Sequence, residues 1–329
     1  MPVDGLPLAA GAEGEAVGDL QQRLARLGHR VPDEEYGRYR HATGEAVRAF
    51  QAARGLRADG VCGAQTWSVL VEAGYRLGDR LLYLRQPMLR GDDVANLQRS
   101  LGALGFDAGR VDGIFGIRTK LALEDFQRNA ALTIDGVCGP GTCRALERFG
   151  ARVAARQPVA VVRELERLRQ APRTLQDQRV VIGDGGGMNA AAAAARQVLA
   201  AAGARVSVVD HPDQSVQAAE ANAGQADVYL GLALDPSSQG CSVAYYAGHR
   251  FESPAGRRLA ELVHAAVATT LGLPGGGVAG MALPILRETK MPAVVCELGP
   301  PPQVVARTAE LAEALGEALV AWALAPCDP

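Results

Sequence analysis

Apolar residues recur at helical spacing through the first half of the chain. Val17, Leu20, Leu24 and Leu27 share one helix face, and Val94, Leu97, Leu101 and Leu104 repeat the pattern. Behind each stripe the spacing predicts a second helix ending in Phe50-Gln51 or Phe126-Gln127. A turn follows, Asp59-Gly60-Val61-Cys62-Gly63 or Asp135-Gly136-Val137-Cys138-Gly139, and then a short third helix with Thr66 or Thr142 at its cap. The rhythm changes after residue 177. Val180-Val181-Ile182, Arg205 to Asp210, Val228 to Leu232 and Ser242 to Tyr246 read as strands, and Leu286 to Gly299 as another, ending at the carboxylate Glu297. Between them, helices are expected behind Asn189 as N-cap, from Gln214 to Asn222, behind Ser253, and from Pro302 to about Leu324. Gly275-Gly276-Gly277 reads as a mobile loop. Alternating strands and helices predict an α/β layer with helices on both sheet faces, preceded by two small all-α three-helix modules.

The first half is a tandem duplication. Gly14-Glu15-Ala16-Val17 and the Leu20-Gln21 helix return 77 positions later at Gly91-Asp92-Asp93-Val94 and Leu97-Gln98, and Phe50-Gln51 returns 76 positions later at Phe126-Gln127. The expected divisions are 1–78, 79–150, a partly helical linker over 151–177, and 178–329.

Charge and cysteine content narrow the class. A formal net charge of −2 and a pI near 6.2 argue against nucleic-acid binding. No apolar run approaches a membrane span, and Met1 to Leu20 has neither the basic start nor the apolar run of a signal peptide, so the cytoplasm is the expected location. The six cysteines, Cys62, Cys138, Cys143, Cys241, Cys296 and Cys327, are then expected as thiols, and none forms a Cys-x-x-Cys pair.

Both repeats resemble the peptidoglycan-binding three-helix domain, whose pattern runs Gly-x-x-Val, Leu-Gln, Leu-Gly, Asp-Gly-x-Phe-Gly, Phe-Gln and Asp-Gly-x-x-Gly-x-x-Thr. The second repeat keeps Asp112-Gly113-Ile114-Phe115-Gly116; the first has Asp33-Glu34-Glu35-Tyr36-Gly37 there. The resemblance implies a groove for muramyl peptide or glycan, with Asp59, Gly60, Asp112, Gly113, Phe115, Asp135 and Gly136 as its candidate residues.

Two readings compete for the second half. Gly185-x-Gly187-x-x-Ala190 after a strand, with Asp210 ending the next strand, fits a loose dinucleotide-binding pattern. The stronger reading draws on several segments. Residues 178 to 325 resemble the zinc-dependent N-acetylmuramoyl-L-alanine amidases, which begin Val-Val-Ile-Asp-Pro-Gly-His-Gly-Gly, carry a Ser-Ile-His-x-Asn strand and close with Pro-Ala-x-Leu-x-Glu-x-Gly. Here Gly231-Leu232-Ala233-Leu234-Asp235 and Pro292-Ala293-Val294-Val295-Cys296-Glu297-Leu298-Gly299 carry the likeness. The departures fall on the chemistry: Gly186 stands where the first zinc-binding His belongs, Ala233 where the second belongs, and the segment bearing a Glu ligand is absent. Glu297, matching the family's catalytic carboxylate, is left as a vestige. A catalytic zinc needs three protein donors plus an open position, so no metal or other cofactor is expected unless His211, His249, His264 or a cysteine rebuilds a site.

Two such repeats before an amidase-like domain stripped of ligands resemble the CwlM-type pseudo-amidases of actinobacteria. That resemblance implies a non-catalytic cytoplasmic regulator of peptidoglycan precursor synthesis, acting by contact with a pathway enzyme such as the enolpyruvyl transferase. The alternative is an active amidase that uses zinc to cut between the lactyl group of muramic acid and L-alanine of the stem peptide.

Overall fold

A computed structural model describes residues 5–150, 159–248, 251–273 and 275–326. The chain divides into two compact units, Met1–Val162 and Arg163–Pro329.

The first unit holds both repeats. Repeat one contains α1 (Glu15–Arg26), a short 3-10 turn at Asp33–Glu35, α2 (His41–Ala53) and α3 (Ala64–Ala73); repeat two contains α4 (Asp92–Ala103), α5 (Ile117–Asn129) and α6 (Pro140–Gly150). The predicted stripes are the cores: Val17, Leu20 and Leu24 are buried in one repeat, and Val94, Leu97 and Leu101 in the other. Each core is closed by a short bridge, Leu8 to Cys62 in the first and Leu82 to Cys138 in the second. Two ion pairs hold the first turn of α4, and the one from Arg54 ties the repeats together. Arg54 of α2 reaches both oxygens of Asp92 at 2.8 Å, and Arg80 binds buried Asp93 at 2.7 and 3.1 Å while stacking 3.8 Å over Tyr75. Carboxylates there also suit the positive end of the helix dipole.

The second unit begins within α7 (Val159–Gln170), at Arg163. Of the stretch expected as a linker, Leu168 and Leu175 belong to the second unit's core. That unit runs β1 (Arg179–Asp184), α8 (Asn189–Ala201), β2 (Arg205–Asp210), α9 (Gln214–Ala223), β3 (Val228–Leu234), β4 (Cys241–Gly248), β5 (Phe251–Glu252), α10 (Pro254–Leu271), β6 (Gly276–Met281), α11 (Pro284–Glu288), β7 (Ala293–Leu298), α12 (Pro301–Ala306) and α13 (Thr308–Leu324). The sheet order is β2-β1-β3-β7-β4-β5, with β6 also paired to β4. Strands β2, β1, β3 and β7 are parallel, and β4 runs antiparallel to β7. One sheet face packs on α8, α10 and α13. Alanine-rich α8 lies so close to α13 that a Cβ on Gly316 would stand 2.6 Å from Val198 Cγ1. The other face carries α9 and α11.

Several expectations need correction. Thr66 and Thr142 lie inside their helices, which begin at Ala64 and Pro140, because their hydroxyls are bonded by Gln51 and Gln127. Asn189 is the first residue of α8, whose cap is Met188. Gly276 and Gly277 open β6: a Cβ on Gly276 would lie 1.9 Å from Cys241 O, so only glycine permits this pairing with β4. Residues 286–299 do not form one strand, since Pro284 starts α11 and Thr289 Oγ1 donates back to Ile285 O at 2.8 Å. The last helix is two, broken at Arg307. Its guanidinium instead satisfies the last carbonyls of α10, Thr270 O at 2.8 Å and Leu271 O at 2.7 Å. Ser253, by contrast, caps α10 as expected, accepting from Gly256 N at 3.1 Å.

Candidate functional site

The candidate groove residues sit in three copies of one hydrogen-bonded device. A buried glutamine from the preceding helix, Gln51, Gln98 or Gln127, donates to a turn aspartate, Asp59, Asp112 or Asp135, each at 2.8 Å. The same amide group donates to the threonine of the next helix and accepts from the turn glycine, Gly60, Gly113 or Gly136, at 2.9 to 3.0 Å. Each aspartate also accepts from the backbone N–H two residues on, at Val61, Ile114 or Val137. These glycines have φ of 66 to 75°, the left-handed region. In the altered turn of repeat one, Gln21 plays the same part toward Gly37, Glu35, Arg38 and Thr43, and the Glu35 carboxylate accepts from Thr43 N at 3.2 Å. Phe115 is wholly buried in the second core. The structure thus gives every one of these candidates an internal role.

In the second unit, the carboxyl edge of the sheet gathers the other candidates. Ala233 and Glu297 are Cα partners across β3 and β7, and Ser242 partners Glu297 across β4 and β7. Strand alternation puts Glu297 on the face opposite Cys296, as expected, with Cys296 in the core against Cys241. The glycine loop begins at the same level, because Asp184 pairs with Leu232. Gly186 is exposed there with φ 121°.

Two groups that shape this edge were not singled out in the sequence. Asp184 is fully buried and accepts from Gly186 N at 2.8 Å and from Met188 N at 3.1 Å, and the Asn189 amide, assigned with its nitrogen toward the two carboxylates, donates to Asp184 at 2.9 Å and Asp210 at 3.2 Å. The amides that a pyrophosphate would need are therefore held by an internal carboxylate, which leaves the dinucleotide pattern without its anion cradle. An Asp closing a strand just before a glycine run was the available signal. The second group is Tyr229, whose hydroxyl donates to Gln217 Oε1, while Gln217 Nε2 donates to Asp184 O at 3.1 Å. Burial pushes the Tyr229 phenol well above its usual range. Gly183 makes the space, since a Cβ there would fall 1.8 Å from the Tyr229 hydroxyl.

Comparison with known proteins agrees with this division. Residues 13–70 and 90–146 match the peptidoglycan binding domain family, and residues 188–302 match the N-acetylmuramoyl-L-alanine amidase family. The chain is 34% identical to the N-acetylmuramoyl-L-alanine amidase CwlM of Mycobacterium tuberculosis, over 90% of this chain and 82% of that protein. The chain belongs to the CwlM family of amidase-like proteins. Bacillus licheniformis CwlL, an N-acetylmuramoyl-L-alanine amidase, is 32% identical over 42% of this chain and 44% of its own length. The crystal structure of the amidase Ami1 from Mycobacterium smegmatis covers 46% of this chain at 14% identity, with a TM-score of 0.39.

The amidase family implies a zinc ion, and the donor set here does not fit one. Gly186 and Ala233 have no side-chain donor, and among the described residues no group of three or more His, Cys, Asp or Glu could hold a metal. His211 Nδ1 accepts from Asp213 N at 2.9 Å, and His264 Nε2 accepts from Gly277 N at 3.1 Å, so each has a local partner. His249 and Cys327 lie outside the described residues. No helix among the described residues is long and apolar enough to cross a membrane.

Proposed function

We propose that this chain is a non-catalytic regulator of peptidoglycan precursor biosynthesis, acting in the cytoplasm by protein contact. The observation that supports it is the sheet edge itself. By the family resemblance Gly186 and Ala233 stand where zinc-binding histidines belong, and across the strands Glu297 has Ala233 and Ser242 as its neighbours, with no His, Cys or second carboxylate. A carboxylate beside no metal has no polarised water to deprotonate, because lowering that water's pKa is the metal's contribution. The partner that the family resemblance suggests is a precursor-pathway enzyme such as the enolpyruvyl transferase, with muramyl peptide or glycan as a second ligand class for the repeats. The relatives' names as amidases favour the other reading, cleavage between muramic acid and L-alanine.

One preparation separates the two. Protein purified from zinc-supplemented medium is expected to carry far less than one zinc per chain and to release no peptide from muropeptides. Near-stoichiometric zinc that disappears when a His or Cys of residues 178–325 is replaced, or release of free peptide, would return the chain to the amidases. In a binding assay with purified enolpyruvyl transferase, deletion of residues 1–150 should weaken binding more than Glu297→Gln. The reverse order would move the contact to the old active-site edge.

A further inference from the structure

We propose that Cys138 and Cys143 form a reversible intramolecular disulfide, which makes the second repeat a site of oxidative modification. Their Sγ atoms lie 3.6 Å apart, in van der Waals contact. Between them, Gly139-Pro140-Gly141-Thr142 turns the chain from the Leu82–Cys138 bridge into α6, and Cys143 N donates to Gly139 O at 2.9 Å in the first turn of that helix. Unpaired amides at a helix start favour a thiolate. The thiol of Cys138, donating to Cys143, holds the Cys143 thiol below its usual range, while Cys138 retains its proton well above it.

The duplication supplies a comparison inside the molecule. Repeat one keeps the bridge cysteine, Cys62, but has Trp67 at the position of Cys143 and still closes a full core. The fold therefore closes without a cysteine at the second position, which leaves Cys143 free to serve chemistry. The other close pair, Cys241 and Cys296 at 3.8 Å, is 0% exposed at both members inside the sheet core, whereas Cys143 retains 7% exposure. Of the two pairs, only the one in the second repeat presents surface to a small oxidant.

With hydrogen peroxide as the oxidant, the Cys143 thiolate attacks one peroxide oxygen, the O–O bond breaks, and hydroxide leaves. Cys143 is then a sulfenic acid. The Cys138 sulfur attacks the Cys143 sulfur and loses its proton; the S–S bond forms as the S–O bond breaks, and water departs. Two thiols lose two electrons and two protons, and one peroxide becomes two waters. A dithiol such as dithiothreitol reverses the bond by exchange. The disulfide joins the Asp135–Cys138 turn covalently to α6.

The test uses the full chain. Protein treated with hydrogen peroxide is unfolded in iodoacetamide and digested with trypsin, which places both cysteines in the single peptide 129–144. The expected product is that peptide two hydrogens lighter and unalkylated until dithiothreitol is added, with Cys241 and Cys296 alkylated in the same sample. Cys138→Ser should instead leave a sulfenic acid at Cys143 that dimedone captures. Full alkylation of both Cys138 and Cys143 after peroxide, or oxidation of the Cys241–Cys296 pair at the same rate, would overturn the proposal.

Discussion

Replacing Gln98 by Leu tests whether the glutamine device is what shapes the second repeat. Gln98 is 2% exposed and takes part in five hydrogen bonds: its amide nitrogen donates to Asp112, Ile114 O and Thr119, and its oxygen accepts from Asp112 N and Gly113 N. Leucine has similar bulk and none of these atoms. Gly113 N is buried and loses its acceptor, Ile114 O loses a donor, and half-buried Asp112 N is affected less. At about 1–3 kcal/mol per buried group left unsatisfied, the loss should be about 3–5 kcal/mol. That is a large fraction of the ~5–15 kcal/mol that holds a typical domain folded. Urea unfolding of the full chain, followed by hydrogen exchange over residues 112–119, reads the effect in this repeat separately from the rest. Gln22→Leu is the control, because Gln22 makes one exposed bond, to Tyr36 at 2.7 Å, and its loss should stay within about 0.5 kcal/mol. A Gln98→Leu loss under about 1 kcal/mol, or unchanged exchange at Gly113, would refute the argument.

Two further outcomes follow from the same geometry. Bonds from Val137 N and Gln127 hold the Asp135 carboxyl below its usual value, so its contribution to stability is present above the unfolded pKa near ~3.9 and lost as pH falls through the folded value; Asp135→Asn should flatten the acid limb of the second repeat's stability, and an unchanged limb would count against it. Gly183→Ala should destabilise the second unit by about 1–3 kcal/mol through overpacking on Tyr229 and Gln217, with part of the loss recovered by Tyr229→Phe; thermal melts of the single and double variants decide.

The duplication, the helical stripes and the strand-helix alternation were all legible in the sequence. Each is a pattern among neighbours or a match of one segment to another, so period and spacing suffice to reveal it. The glycine turns were legible too, but their meaning was not. Asp59, Asp112 and Asp135 looked like ligand groups, and only the fold shows Gln51, Gln98 and Gln127 arriving from a separate helix to engage them. The same holds for Asp184, whose partners lie in the loop it closes, and for Gly276-Gly277, which the lack of side chains marks as loop until Cys241 of β4 is seen to pass within reach. That Ala233 stands beside Glu297, 64 positions further along the chain, depends on the register of β3 against β7. The contact of Cys138 with Cys143 depends on the angle at which α6 leaves its bridge. Register and approach are set by packing between distant segments, and no local pattern encodes them.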